Sequence, residues 1–196
     1  MKGINVEVRD AVLENENENV IYVAKPHENQ IPDDNTYALI HEEVFHNGII
    51  DVDVRSRLLP TADETNRGFV GIVFRAKKDV SEFESFYIRP TNGNTDDPVR
   101  KQHGCQYFSY PGYTFAYFRK HGIEGYEAPI EGYLDKWFHL SAVIHEDKAK
   151  FYVDDMETPV LCIEHLKHGK DAKGYVGLYV DNGTEGYFKN LMIENV

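Results

Sequence analysis

Short runs in which apolar and polar positions alternate recur along the whole chain. In Ile50-Asp51-Val52-Asp53-Val54-Arg55 the aliphatic side chains point one way, and Asp51, Asp53 and Arg55 point the other. In the run 69–75, Val70, Ile72 and Phe74 share a face and Gly71, Val73 and Arg75 share the opposite one. Phe86 pairs with Ile88, while Tyr87 and Arg89 oppose them. Period-2 runs of this kind predict strands at 4–8, 20–23, 37–42, 48–57, 69–76, 85–90, 105–109, 115–118, 137–145, 148–153, 174–180 and 186–193. Helix-period patterns are almost absent. Asn47-Gly48, Asn92-Gly93-Asn94 and Asn182-Gly183 supply residues that tolerate positive φ in turns, and 145–148 reads as a tight hairpin.

The fold class that follows is all-β, two antiparallel sheets packed face to face as a sandwich. The apolar strand faces fill the space between the sheets, and the polar faces, on a curved sheet, line a concave groove. The acidic–amide run 14–19 reads as a loop, and 91–104 and 120–136 are long connections, a length often associated with function. No internal repeat and no shift in composition marks a boundary, so 1–196 is expected to form one domain.

Composition narrows the function. The net charge of −12 gives no basic face for nucleic acid or for an anionic membrane surface. No run of about 18 apolar residues spans a membrane. Without a visible signal peptide, and with only Cys105 and Cys162, which suggest no disulfide framework, the expected location is the cytoplasm of a bacterium, unless the chain is the mature form of an exported protein. The aromatic share is 13%, mostly Tyr and Phe. These residues suit strands and cores, and also sites for ligands that are both apolar and hydroxylated.

Catalytic signatures are weak. Asp51 and Asp53 lie on one strand face about 7 Å apart, a spacing compatible with two-carboxylate sugar hydrolysis. The competing reading makes Asp53 and Arg55 cross-strand ion-pair partners of Arg75 and Arg89. The densest polar–aromatic stretch runs from Tyr87 to Tyr126 and includes Arg89, Asn92, Arg100, His103, Gln106, Tyr107, Tyr113 and Arg119. Flat rings for stacking with planar polar groups at the rim are what a sugar site needs. Ordinary strand decoration is the other reading, and both stay open. If the protein turns over a sugar, Asp53, His103 or Tyr107 is expected to move the proton while Arg89 or Arg100 neutralises developing charge.

Several blocks carry a resemblance: Tyr87-Ile88-Arg89-Pro90-Thr91-Asn92, Gln106-Tyr107-Phe108-Ser109-Tyr110-Pro111, Trp137-Phe138-His139-Leu140, and the closing Gly174-Tyr175-Val176-Gly177-Leu178 with Gly186-Tyr187-Phe188-Lys189-Asn190-Leu191. From about Phe45 onward the chain resembles the concanavalin A-like lectin/glucanase superfamily, in particular laminin G-like and 3-keto-disaccharide-hydrolase-like bacterial domains. The resemblance implies a jelly-roll sandwich that binds an oligosaccharide and either holds it or acts on it as a hydrolase or lyase. It further implies that Arg89, Asn92, Arg100, Gln106 and Tyr107 border the ligand, and the reading of strand faces and the aromatic stretch adds Arg55, Arg75, Tyr87, Tyr113 and Arg119 as ligand-binding candidates. The Glu-x-Asp-x-x-Glu run of the family's glucanases is missing, so their double displacement does not carry over. Relatives' structural calcium would fall to Asp181 and Glu194, with Glu7 or Asp10. The alternative function is a non-catalytic module that binds a protein or self-associates as a homodimer.

Overall fold

The structure is a computed structural model that describes residues 6–9, 12–17, 20–25, 31–34 and 36–196, with only the backbone of 6–9, 12–17 and 41–43. The first sheet contains β1 (Val6–Arg9), β4 (Tyr37–Phe45), β6 (Val70–Ala76), β7 (Phe83–Ile88), β8 (Cys105–Tyr110), β9 (Glu127–Ala128) and β13 (Gly174–Val180). The second contains β2 (Val12–Asn17), β3 (Val20–Ala24), β5 (Gly48–Leu58), β10 (Phe138–His145), β11 (Lys148–Val153), β12 (Leu161–Ile163) and β14 (Thr184–Asn195). Their spatial orders are β1-β4-β13-β6-β7-β8-β9 and β12-β11-β10-β5-β14-β3-β2, with antiparallel pairing throughout. This is the two-sheet antiparallel sandwich that the alternation predicts.

The alternating strand faces place the core. Val52 and Val54 of β5, Ile72 and Phe74 of β6, and Phe86 and Ile88 of β7 meet in one cluster between the sheets. Phe86 stacks on Phe151 from the opposite sheet at 4.3 Å between ring centroids and 5° between planes. A second apolar cluster lies on the other face of the first sheet, with Tyr37, Leu39, Val73, Phe83, Tyr87, Phe108 and Tyr179 all buried. That face is therefore apolar over much of its width rather than a polar groove.

Several expectations change. Residues 115–118 are not a strand but the start of helix α3 (Phe115–Lys120). The Phe115 amide at its first turn donates to Asp33 Oδ2 at 2.8 Å, a partner more than eighty residues away. Part of the acidic–amide run forms β2, an edge strand paired with β3, and Glu18 and Asn19 lie outside the described residues. The 91–104 connection carries α1 (Pro90–Gly93) and α2 (Pro98–Lys101), and 120–136 contains β9. Gly183 occupies the turn expected of Asn182-Gly183, at φ +65. Gly186 instead serves close packing, since a Cβ there would lie 2.5 Å from Val180 Cγ1.

Asp53 and Arg55 are not partners of Arg75 and Arg89, because β5 belongs to the second sheet and β6 and β7 to the first. Asp53 takes His139 Nδ1 at 2.8 Å and Asn190 Nδ2 at 2.7 Å, and Arg55 lies 3.6 Å from Asp135. Arg75 is buried and reaches the equally buried Glu84 at 3.7 Å.

Candidate functional site

Antiparallel register gathers several chain segments at one end of the first sheet. Val70 faces Ile88, Ile88 faces Cys105, and Val180 faces Val70. The loop before β6, the chain leaving β7, the approach to β8 and the turn after β13 therefore converge there. Between them, with α3 on one side, lies a cavity of about 670 Å³. Its walls include Asp33, Arg67, Phe69, Tyr87, Arg89, Asn92, Arg100, His103, Phe115, Arg119 and Asp181. A second hollow of about 610 Å³ shares His103 and Arg119 with it and runs along 122–129.

Arg89 is the hub. Its Nη1 donates to Glu127 Oε1 at 2.6 Å and to the His103 carbonyl at 3.1 Å, while Nη2 donates to the Tyr87 hydroxyl at 2.7 Å and to Gln106 Oε1. Tyr87 donates onward to Asp33 Oδ1 at 3.0 Å. Arg119 closes the other side of Glu127 at 2.8 Å, and His103 Nδ1 lies 3.0 Å from its second oxygen.

The charges follow this wiring. Burial works to lower the pKa of Arg89, but Tyr87, Glu127 and Asp33 outweigh it and hold the guanidinium above its ordinary value. Burial pushes the Glu127 carboxyl up, yet Arg89 and Arg119 win and keep it below the usual range. Burial, helped by Arg119 and Arg89, overcomes Glu127 and pushes the His103 imidazole down. Burial and the neighbouring Asp181 push Asp33 up to about 6.

Two further arginines are oriented by neutral groups. Asp97 caps α2 by accepting from the Val99 and Arg100 amides at 2.9 and 3.1 Å. Asn92 fixes the Arg100 side chain, its Oδ1 accepting from Nε and Nη2 at 3.3 Å each. Arg67 donates to the carbonyls of Glu64 and Asn66. Half-buried Phe69 and Phe115 add flat apolar surface, with Arg119 lying 5.2 Å above the Phe115 ring.

The structure brings together Tyr87, Arg89, Asn92, Arg100, His103 and Arg119 from the sequence-derived set. Gln106 is buried behind them, bonded to Arg89 and Tyr87. Tyr107 points to the other side of the sheet into the core, where its hydroxyl donates to Glu84 Oε1 at 2.9 Å. Tyr113 packs on Tyr117 beyond β8. Arg55 and Asp53 are on the second sheet, so the three proton-transfer candidates Asp53, His103 and Tyr107 are not assembled. Sequence reasoning missed Asp33, Arg67, Phe69, Phe115 and Glu127.

The two carboxylates expected to hold calcium, Asp181 and Glu194, are placed apart. Asp181 uses its carboxylate on Lys25 Nζ at 2.8 Å and on the Asp33 and Asn182 amides, while Glu194 is exposed near the far end of β14. Glu7 has no described side chain and Asp10 lies outside the described residues. Among the described residues no group of three His, Cys, Asp or Glu side chains could hold a metal ion.

The two-sheet antiparallel architecture is a concanavalin A-like, galectin-like β-sandwich, the fold of the solved structures it matches. Among solved structures the chain is similar to the carbohydrate-binding module CBM66 from Bacillus subtilis, with a TM-score of 0.65 at 16% identity over 97% of this chain and 95% of that one. It is also similar to a Bacillus subtilis protein of unknown function with a galectin-like fold, with a TM-score of 0.58 at 12% identity over 99% and 90%. A third is a Parabacteroides distasonis protein provisionally named a glycosyl hydrolase, with a TM-score of 0.57 at 14% identity over 98% and 94%. No family model and no curated protein matches the sequence.

Proposed function

We propose that the protein binds carbohydrate and that the cavity at the end of the first sheet is its site. The observation that carries this is the pairing of two flat rings, Phe69 and Phe115, with planar polar groups of Asn92, Arg100 and His103 around one concave space. A sugar offers an apolar ring face for the former and hydroxyls for the latter. The likeness to a carbohydrate-binding module supports the same reading. The finer reading, hydrolase or lyase action on the bound sugar, draws on one wall carboxyl, Asp33, raised to about 6, and on Glu127, which is bonded behind the wall to Arg89 and Arg119 and held below its usual range.

The test is calorimetric titration with a panel of mono- and oligosaccharides, with release of new sugar ends followed in the same mixtures. A binding sugar is expected to lose roughly tenfold affinity in Phe115→Ala, the loss of one stacking contact worth about 1–2 kcal/mol. If no sugar binds, the reading fails and a protein-binding or self-associating module takes its place. Binding without released ends leaves a lectin-like module and removes the catalytic reading.

A further inference from the structure

The cavity's arginines fall into two kinds. Arg89 and Arg119 are neutralised by Glu127 at 2.6 and 2.8 Å. Arg67 and Arg100 have only neutral acceptors, backbone carbonyls for one and Asn92 Oδ1 for the other. Among the described residues, no carboxylate oxygen comes within 4.0 Å of either guanidinium.

The two are also close enough to oppose each other. After burial, Arg100 and then Arg89 are the groups that lower the pKa of Arg67. Like charges set near one another are a costly arrangement in a chain whose net charge is −12. Both forks are held rather than free, so little side-chain entropy remains to be lost when an anion arrives. A guanidinium presents parallel N–H donors that match two oxygens of a planar or tetrahedral oxyanion, with more geometric selectivity than an ammonium.

We infer that the cavity takes a sugar carrying an oxyanion, a ring carboxylate or an ester phosphate, with the anionic group seated at Arg67 and Arg100 and the ring over Phe69 and Phe115. This inference rests on the carbohydrate reading above and narrows it to acidic saccharides. A neutral sugar would leave both guanidinium groups without a carboxylate in contact, with Asp63 and Glu64 acting on Arg67 only from beyond ion-pair distance.

The experiment is calorimetric titration at low and at moderate salt with four probes: galacturonate oligomers, a hexose 6-phosphate, their neutral counterparts, and inorganic phosphate alone. One charge-assisted bond is worth roughly tenfold or more in affinity, so at least one acidic sugar is expected to bind about tenfold or more above its neutral counterpart. That preference should shrink as salt rises. Arg67→Gln and Arg100→Gln are each expected to collapse the preference ratio. Preference for the uronates assigns a carboxylate, and preference for the hexose phosphate assigns a phosphate. Equal binding of acidic and neutral sugars overturns the inference and leaves the carbohydrate reading standing. Inorganic phosphate binding as tightly as the hexose phosphate also overturns it, because the sugar ring then contributes nothing. If no sugar binds at all, both readings fall together.

Discussion

Arg89 is enclosed by acceptors on every side, and its removal therefore acts first on stability. Alanine would leave the Glu127 carboxylate, Gln106 Oε1 and the Tyr87 hydroxyl short of a partner. Breaking a buried pair of this kind costs about 3–5 kcal/mol. We expect Arg89→Ala to lower the melting temperature by on the order of 10 °C, measured by calorimetry. Such a result identifies Arg89 as the keystone of the wall rather than a group that touches ligand alone. Asp33 makes a pH prediction. Its carboxyl is raised to about 6 from 3.8, so between these values the folded chain holds a proton that the unfolded chain has released. The stabilisation is full below about pH 4 and declines as pH rises toward 6. Relative to Asp33→Asn, which does not titrate, the wild type should lose on the order of 2–3 kcal/mol across that window, read from urea unfolding at each pH. Gln106 and Tyr107 show what was legible at this scale. Neighbours on a strand point to opposite faces, and the alternation of Cys105 and Tyr107 against Gln106 and Phe108 already separates them. Glu127 and Arg67 were not legible, since their role depends on partners brought in from distant segments.

Among the elements, α3 and β2 mark where local pattern loses to context. The four residues Phe115-Ala116-Tyr117-Phe118 are as apolar and aromatic as a short strand, and periodicity cannot separate the two states at that length. The helix is started from outside, by the Asp33 carboxylate on the Phe115 amide. β2 is mostly Asn and Glu, poor strand formers, but it lies at a sheet edge and among the described residues has one strand neighbour to satisfy. By contrast β5, β6 and β7 are where the alternation places them, because burial on one face or both dictates their side-chain sequence. The β6–β7 pair carries a prediction. A Cβ at Gly71 would lie 2.2 Å from the Phe86 carbonyl oxygen and 2.5 Å from Tyr87 Cα, so the partner backbone would have to move. Gly71→Ala is expected to cost about 1–3 kcal/mol and to weaken sugar binding as well, since Tyr87 and Arg89 hang from the displaced strand. Urea unfolding and the sugar titration read the two effects separately.

For the whole molecule, the class of fold follows from period-2 runs separated by turn residues, but the order of strands does not. Nothing in the local pattern of 184–195 says that it slots between 48–58 and 20–24 to hold the second sheet together. The site shares this difficulty, being assembled from loops that meet only because register aligns their ends. Position in the second sheet also has a consequence for synthesis. Strand β5 finds β10 on one side only after residue 138 is made, and its other side stays open until residues 184–195 exist. At about 5–20 residues per second a ribosome needs roughly 6–25 s to travel from residue 58 to residue 184. Throughout that interval the nascent chain carries an unpaired edge flanked by Val52 and Val54, a surface that invites chaperone capture or pairing with a neighbouring nascent chain on the same message.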